Sequence, residues 1–143
     1  MTISSDKPQA SKGYRDHPDY RVKLEPVVSQ LRVMFGGEAI VDTRQAFVLL
    51  ETRHAPVYYF ATSDVGASAL SPTDHTSHCP FKGDARYWSL KVSDQISENA
   101  VWGYPDPLPE VPALADLKAF YWDRVDSWWL DDVQIEAPVM PAE

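Results

Sequence analysis

The sequence predicts a mainly β fold: a single domain of small antiparallel sheets with one short helix. Short runs of apolar or alternating residues recur along the 143 residues and are separated by Gly, Pro, Asp and Ser, which is typical of strands joined by turns. Strands do not alternate with helices, which argues against the βαβ units of a dinucleotide-binding fold. We expect flexible tails at residues 1–16 and 133–143 around one β-rich domain at residues 17–132.

The individual strands follow from local patterns. Gly36-Gly37 stands between two apolar runs, and such a pair is typical of a two-residue hairpin turn because these turns require positive φ. Residues 46–50 are apolar on both faces, which indicates a covered strand that ends near Glu51. Pro26 is expected to end the first strand, and residues 110–118 allow one short amphipathic helix. The predicted strands are residues 20–24, 31–35, 38–41, 46–50, 57–60, 87–92, 95–101, 120–122 and 128–130.

Charge and composition narrow the expected partners. The formal net charge is −8, and an acidic body repels phosphate backbones, so nucleic acid is not expected as a partner. No apolar run approaches the roughly 20 residues of a membrane span, and the N-terminus lacks the apolar core of a signal peptide. We therefore expect a cytoplasmic protein that binds a small molecule and no membrane. Trp128 and Trp129 either cap the core or form a contact in a homodimer.

One segment concentrates reactive side chains. Residues 74–89, DHTSHCPFKGDARYWS, hold two of the four histidines, the only cysteine and a Lys-Gly pair. A long, polar, irregular loop in a compact domain is usually functional. We expect this loop to fold back over the rim of a sheet and to close a small hollow lined by aromatic rings.

Several segments together resemble a known family. VMFGGEAIVD, VYYF, HCPFKGDARYWS, ENAVWGYPDP and FYWDRVDSWW resemble the bacterial domain-of-unknown-function family 427, over residues 17–130. The resemblance implies a compact domain of the β-tent type, in which two small sheets lean together, and it brings a nucleotidyltransferase-like label. Relatives of that architecture hold zinc with paired Cys-x-x-Cys knuckles. Those knuckles are missing here, so a structural zinc is not expected.

Cys79, Glu51 and Lys82 are the candidate catalytic residues. A cysteine near cations can act as a nucleophile through its thiolate, although a small buried residue before a proline is an equally ordinary role for Cys79. Glu51, at the end of a covered strand, suits a general base. Its alternative role is a salt bridge at the rim with Arg53 or Arg86. Lys82 would stabilise charge that develops in a reaction.

A second set of residues is predicted to bind a ligand. Lys82 and Arg86 would meet an anionic group. Aromatic residues beside polar ones on loops are the usual composition of a pocket. His75 and His78 either contact the ligand, hold a metal ion together with a carboxylate, or bond to backbone and water; the interpretation we adopt is no metal. The aromatic candidates are Tyr58, Trp102 and Tyr104.

Two classes of function remain open on the sequence. The first is a small-molecule binding domain that holds an anionic ligand in a pocket under residues 74–89. The second is an enzyme of nucleotidyltransferase-like or cysteine-dependent type that uses the same pocket. Neither class indicates a particular cofactor.

Overall fold

A computed structural model describes residues 10–140, and they form two antiparallel sheets and one α-helix, so the predicted mainly β fold class is confirmed. Residues 1–9 and 141–143, which fall in the predicted tails, lie outside the described residues. No helix in the described part of the chain has the length and apolar character needed to cross a membrane. Helix α1 is Lys12–Asp16, and the strands are β1 (Val22–Val27), β2 (Leu31–Phe35), β3 (Glu38–Thr43), β4 (Ala46–Glu51), β5 (Val57–Ala61), β6 (Leu70–Cys79), β7 (Gly83–Val92), β8 (Gln95–Gly103), β9 (Leu117–Phe120), β10 (Ser127–Leu130) and β11 (Val133–Ile135).

The strands form one large and one small sheet. The large sheet has seven strands in the order β1-β4-β5-β9-β8-β7-β6, and the small sheet has four in the order β11-β10-β2-β3. Gly36 and Gly37 have φ values of +62° and +82° and join β2 to β3. The hairpin predicted at these two glycines is therefore confirmed, because only residues that tolerate positive φ fit such a turn.

The strands of the large sheet send alternate side chains into two different apolar cores. The inner core lies between the two sheets and includes Tyr58 and Phe60 of β5 together with Trp128 of β10. Tyr59 of β5 points the opposite way, into an outer core that residues 104–117 help to close. Members of the outer core are Leu49, Tyr59, Ala85, Tyr87, Tyr104, Val111, Leu114, Leu117 and Ala119.

Residues 74–89 do not form the irregular loop that the sequence predicts. They form much of a hairpin in which β6 pairs with β7, and only residues 80–82 are turn. The polar side chains of β6 are exposed because β6 is an edge strand of the large sheet. Edge strands often carry polar and charged residues that discourage pairing with other chains. In sequence, such a strand has the composition of a loop.

Three further predictions about secondary structure differ from the structure. Pro26 lies inside β1, because β1 is the other edge strand and proline is tolerated on the side that lacks a neighbour. The helix expected at residues 110–118 is a 3₁₀ turn, Pro112–Asp116, followed directly by β9. Within the segments predicted to be tails, Lys12–Asp16 is helical and Val133–Ile135 pairs with β10.

Candidate functional site

A cavity of about 730 Å³ opens on the outer-core side of the large sheet. Its volume lies within the range of pockets that hold small organic molecules. Strands β4, β5, β7 and β8 and the turn between β6 and β7 contribute its walls. The walls are rich in aromatic rings, among them Tyr20, Tyr59, Tyr87, Trp102, Tyr104 and Tyr121.

The floor of the cavity is a row of side chains that crosses four strands. The register of the sheet places Tyr59 of β5, Ala119 of β9, Trp102 of β8 and Tyr87 of β7 side by side. Ala119 is the small member of this row, so the larger rings of Tyr59 and Trp102 can meet above it. The Trp102 indole N–H donates a hydrogen bond of 3.2 Å to the Tyr59 hydroxyl oxygen, which fixes the two rings relative to each other.

The turn at residues 80–82 forms one wall. Phe81 stacks on Tyr20, with ring centroids 3.5 Å apart and planes 9° apart, and its carbonyl accepts a hydrogen bond of 2.6 Å from the Tyr14 hydroxyl. Gly83, directly after the turn, has φ of +116°, a conformation that other residues rarely adopt. The Lys-Gly pair noted in the sequence therefore shapes the turn, and the turn directs its lysine into the wall.

Glu51 and Lys82 form a buried ion pair in the cavity wall. Lys82 Nζ lies 2.5 Å from Glu51 Oε1, and both side chains are 8% exposed. The Tyr20 hydroxyl donates a hydrogen bond to Glu51 Oε2, and His54 Nε2 lies 3.9 Å from the same oxygen. Both carboxylate oxygens thus have partners, and Glu51 balances the charge of Lys82. The sequence predicts that Lys82 meets an anionic group of the ligand, but in the structure its charge is already paired with Glu51.

The phenols around the cavity hold their protons firmly. Burial raises the pKa of Tyr59 and of Tyr104 far above the usual value for tyrosine. Burial also raises the pKa of Tyr20, and the hydrogen bond to Glu51 adds to the effect. The pKa of Tyr121 is raised to about 12, mainly by burial and then by its contact with Tyr87. At neutral pH each of these hydroxyls is therefore protonated and able to donate a hydrogen bond.

Arg53 and His54 stand at the mouth of the cavity, with exposed side chains that line it. They belong to a turn closed by a 3.0 Å hydrogen bond from the His54 N–H to the Glu51 carbonyl. Arg53 adopts φ of +63°, which is uncommon for a residue other than glycine. Its guanidinium lies 6.0 Å from the centre of the Tyr20 ring. No carboxylate within residues 10–140 forms a salt bridge with it.

The structure places six of the predicted site residues at the cavity, namely Glu51, His78, Cys79, Lys82, Trp102 and Tyr104. The three others lie elsewhere, which corrects the predicted ligand set. Tyr58 belongs to the inner core because consecutive strand residues point to opposite faces, and Tyr59 occupies the cavity instead. Arg86 is exposed on β7, whose buried residues alternate with exposed ones. His75 is exposed on edge strand β6, with its ring centre 4.3 Å from that of Tyr87.

Besides Tyr59, four aromatic residues of the cavity were not among the predicted site residues, namely Tyr20, Phe81, Tyr87 and Tyr121. Tyr87 alternates with exposed residues along β7, and that period indicated a buried side chain without indicating a cavity. Tyr20 and Tyr121 fall in the predicted strands 20–24 and 120–122, but in the structure each lies just outside a strand. The alternation of a strand therefore does not set the direction of their side chains. Tyr20 reaches the cavity because the chain between α1 and β1 passes over Phe81.

The histidines of the hairpin do not gather around a possible metal ion. No group of three His, Cys, Asp or Glu side chains within residues 10–140 is arranged to hold one. His78 Nδ1 lies 2.7 Å from Asp84 Oδ1, and both side chains are exposed. Cys79 is a free, half-buried thiol at the cavity wall. The arrangement can hold an organic molecule through ring contacts, phenol hydrogen bonds and a cation at the mouth.

Comparison with protein families gives a match over residues 23–131, which is 109 of the 143 residues. The matching family is described as a domain of unknown function, DUF427, and its short name is of the nucleotidyltransferase type. No match was found among curated proteins. The family description assigns neither a ligand nor a reaction, so the chemistry of the cavity carries the functional argument.

Proposed function

This chain belongs to the domain-of-unknown-function family DUF427, and on that premise we propose that it is a binding domain for a small, flat organic anion. The ligand body would lie against the aromatic walls of the cavity, and its anionic group would face Arg53 at the mouth. The observation that carries the proposal is this combination of a ring-lined cavity with an arginine that has no carboxylate partner among residues 10–140.

The aromatic walls favour a flat ligand. Tyr59 and Trp102 meet edge to face, with centroids 6.3 Å apart, and the Trp102 and Tyr121 centroids are 4.6 Å apart. Rings held in such positions offer both faces and edges to a bound ring, and pairs of this kind contribute about 0.5–1.5 kcal/mol beyond the area they bury. A planar conjugated molecule can contact several of these faces and edges at once.

The anionic group of the ligand is assigned to the mouth and not to Lys82. Glu51 already balances the charge of Lys82 at 2.5 Å, and a second carboxylate beside Glu51 would be repelled. Arg53 is exposed and its guanidinium offers two parallel N–H donors that suit a carboxylate. His54 lies beside it and adds a positive charge when it is protonated.

We expect 2-naphthoate to bind more tightly than its neutral analogue 2-naphthamide, measured by calorimetry and by shifts of the Trp102 indole N–H signal. Replacing Arg53 by Gln should weaken 2-naphthoate about fivefold, as expected for an ion pair worth about 1 kcal/mol at an accessible site. The same substitution should leave 2-naphthamide nearly unchanged. Raising the salt concentration should reduce the difference between the two compounds.

Arg86→Gln is the matched control, because it removes the same charge from an exposed position outside the cavity. Equal losses of 2-naphthoate affinity in the two variants would point to a general effect of net charge and would contradict the assignment of Arg53. Failure of both naphthyl compounds to bind at millimolar concentration would contradict the proposed binding function.

An enzyme is the second candidate, and the position of Cys79 at the cavity wall favours it. Under this candidate Cys79 should react with iodoacetamide at pH 7 faster than free cysteine does, because a nucleophilic cysteine is held as its thiolate. Under the binding proposal the half-buried thiol should react about tenfold more slowly than free cysteine, should speed up in urea and should be protected by 2-naphthoate. The rate of alkylation, followed by mass spectrometry, separates the two.

A further inference from the structure

Tyr104 carries a hydroxyl that the protein itself leaves without a partner. The residue follows β8, lines the cavity and is only 6% exposed. Its hydroxyl has no hydrogen-bond partner among the side-chain hydrogen bonds of residues 10–140. Within the same residues no fully buried side-chain nitrogen or oxygen lacks a partner. The Tyr104 hydroxyl is therefore not sealed in the core, and the space that it reaches is the cavity.

Tyr59 provides a second donor in the same cavity. Its side chain is 1% exposed, and its oxygen accepts the N–H of Trp102. The proton of the Tyr59 hydroxyl has no acceptor among residues 10–140. Both side chains line the same cavity and belong to the outer core, and both hydroxyls remain protonated at neutral pH because burial raises the pKa of each. The deep end of the cavity thus presents two hydroxyl groups whose protons have no acceptor among residues 10–140.

Once a ligand displaces water from the cavity, a hydroxyl proton left without an acceptor is unfavourable. A ligand that supplies an acceptor oxygen should therefore bind more tightly than one that does not. An amine or amide N–H placed there could donate to the Tyr104 oxygen, but it would leave the protons of both hydroxyls without an acceptor. A carboxylate placed there would lose its hydration beside Glu51, with no free cation to compensate, because Lys82 is already paired. A neutral carbonyl oxygen, which accepts two hydrogen bonds along its lone pairs, satisfies both phenols without a charge penalty.

We infer that the cavity recognises flat, conjugated carbonyl compounds, whose carbonyl oxygen accepts hydrogen bonds from Tyr59 and Tyr104 at the deep end. This inference rests on the proposed function, since the other end of the ligand carries the anionic group that faces Arg53. The expected ligand is therefore an aromatic or conjugated acid that also carries a ketone or aldehyde group. Trp102 contacts the ligand ring and, through its hydrogen bond to Tyr59, directs the Tyr59 proton toward the ligand.

The test uses two pairs of probes that differ only in the carbonyl group. The first pair is 4-acetylbenzoate and 4-ethylbenzoate, and the second is 6-acetyl-2-naphthoate and 6-ethyl-2-naphthoate. Within each pair the shape and the charge are closely matched. We expect the acetyl compound to bind about tenfold more tightly in at least one pair, as two hydrogen bonds of ordinary strength would give. Affinities are measured by calorimetry on the full chain at neutral pH.

Tyr104→Phe is the decisive variant. Its hydroxyl has no partner among residues 10–140, so its removal should not lower the melting temperature. The tenfold preference for the acetyl compound should fall to about threefold, while the ethyl compound should bind as it does to the wild type. Tyr58→Phe is the matched control, because that hydroxyl contacts Val139 on the far side of the sheet. This control should retain the full acetyl preference.

Each outcome has a distinct meaning. An acetyl preference that falls in Tyr104→Phe and persists in Tyr58→Phe supports the inference. Equal binding of acetyl and ethyl compounds to the wild-type protein overturns the carbonyl inference and leaves the proposed function standing. The carbonyl inference is likewise overturned if Tyr104→Phe folds and keeps the full preference. If none of the four probes binds, the inference and the proposed function fail together.

Discussion

Replacing Glu51 by Gln is expected to lower the free energy of unfolding by about 3–5 kcal/mol, because the substitution leaves the buried ammonium of Lys82 without its counter-charge. Both side chains are 8% exposed, and the two charged atoms are 2.5 Å apart. A chain of this size should then lose roughly 10–15 °C in melting temperature. Chemical denaturation followed by tryptophan fluorescence and calorimetric melting measure the change.

The double variant Glu51→Gln/Lys82→Met identifies the cause of that loss. Removing both charges together eliminates the unpaired ion, so the double variant should recover most of the stability. Losses that simply add would show that the two residues act independently and would contradict the ion-pair explanation. Glu25→Gln is a surface control, since the one salt bridge of Glu25 within residues 10–140 joins it to the exposed Lys23. That variant should melt as the wild type does.

Replacing Trp128 by Ala is expected to cost about 3–5 kcal/mol, as is typical of removing a buried large aromatic side chain. Trp128 is 2% exposed and stacks on Trp122, with ring centroids 4.1 Å apart and planes 3° apart. It also packs near Phe60 and Phe120 of the inner core. The loss should appear as a lower denaturant midpoint with a nearly unchanged slope.

The neighbouring tryptophan is the control for this experiment. Trp129 follows Trp128 in β10, is only partly buried, and bonds its indole N–H to Ser127. Trp129→Ala should therefore cost much less than Trp128→Ala. Similar losses of unfolding free energy in the two variants would contradict the conclusion that Trp128 belongs to the inner core and Trp129 does not.

The Trp128→Ala experiment also tests how separate the two cores are. The inner core and the cavity lie on opposite faces of the large sheet. Below its melting temperature the variant should therefore bind 2-naphthoate with wild-type affinity, because the register that sets Tyr59, Trp102 and Tyr87 is held by backbone hydrogen bonds. A large loss of affinity in a folded variant would show that packing between the sheets shapes the cavity.

The sequence was sufficient to locate the segment that lines the cavity. It was not sufficient to decide which neighbouring side chains point into the cavity. Residues 74–89 were predicted to hold the site because reactive side chains and a Lys-Gly pair concentrate there, and the turn at residues 80–82 does line the cavity. The assignment of Tyr58, Arg86 and His75 to the ligand followed their neighbours in sequence. Tyr58 and Arg86 each precede a residue that does line the cavity, and a shift of one residue along a strand reverses the face. His75 lies outside the cavity on the exposed edge strand β6.

Local patterns were sufficient for the fold class, the turn at Gly36-Gly37 and the place of Glu51 at the end of a covered strand. Periodicity and backbone preference act over a few neighbouring residues, so one sequence is enough to detect them. Only the tertiary structure decided that Tyr59 faces the cavity and that Lys82 pairs with Glu51, which is 31 residues away. Those outcomes depend on which strands become neighbours and in what register, and the contacts that select the register join distant parts of the chain.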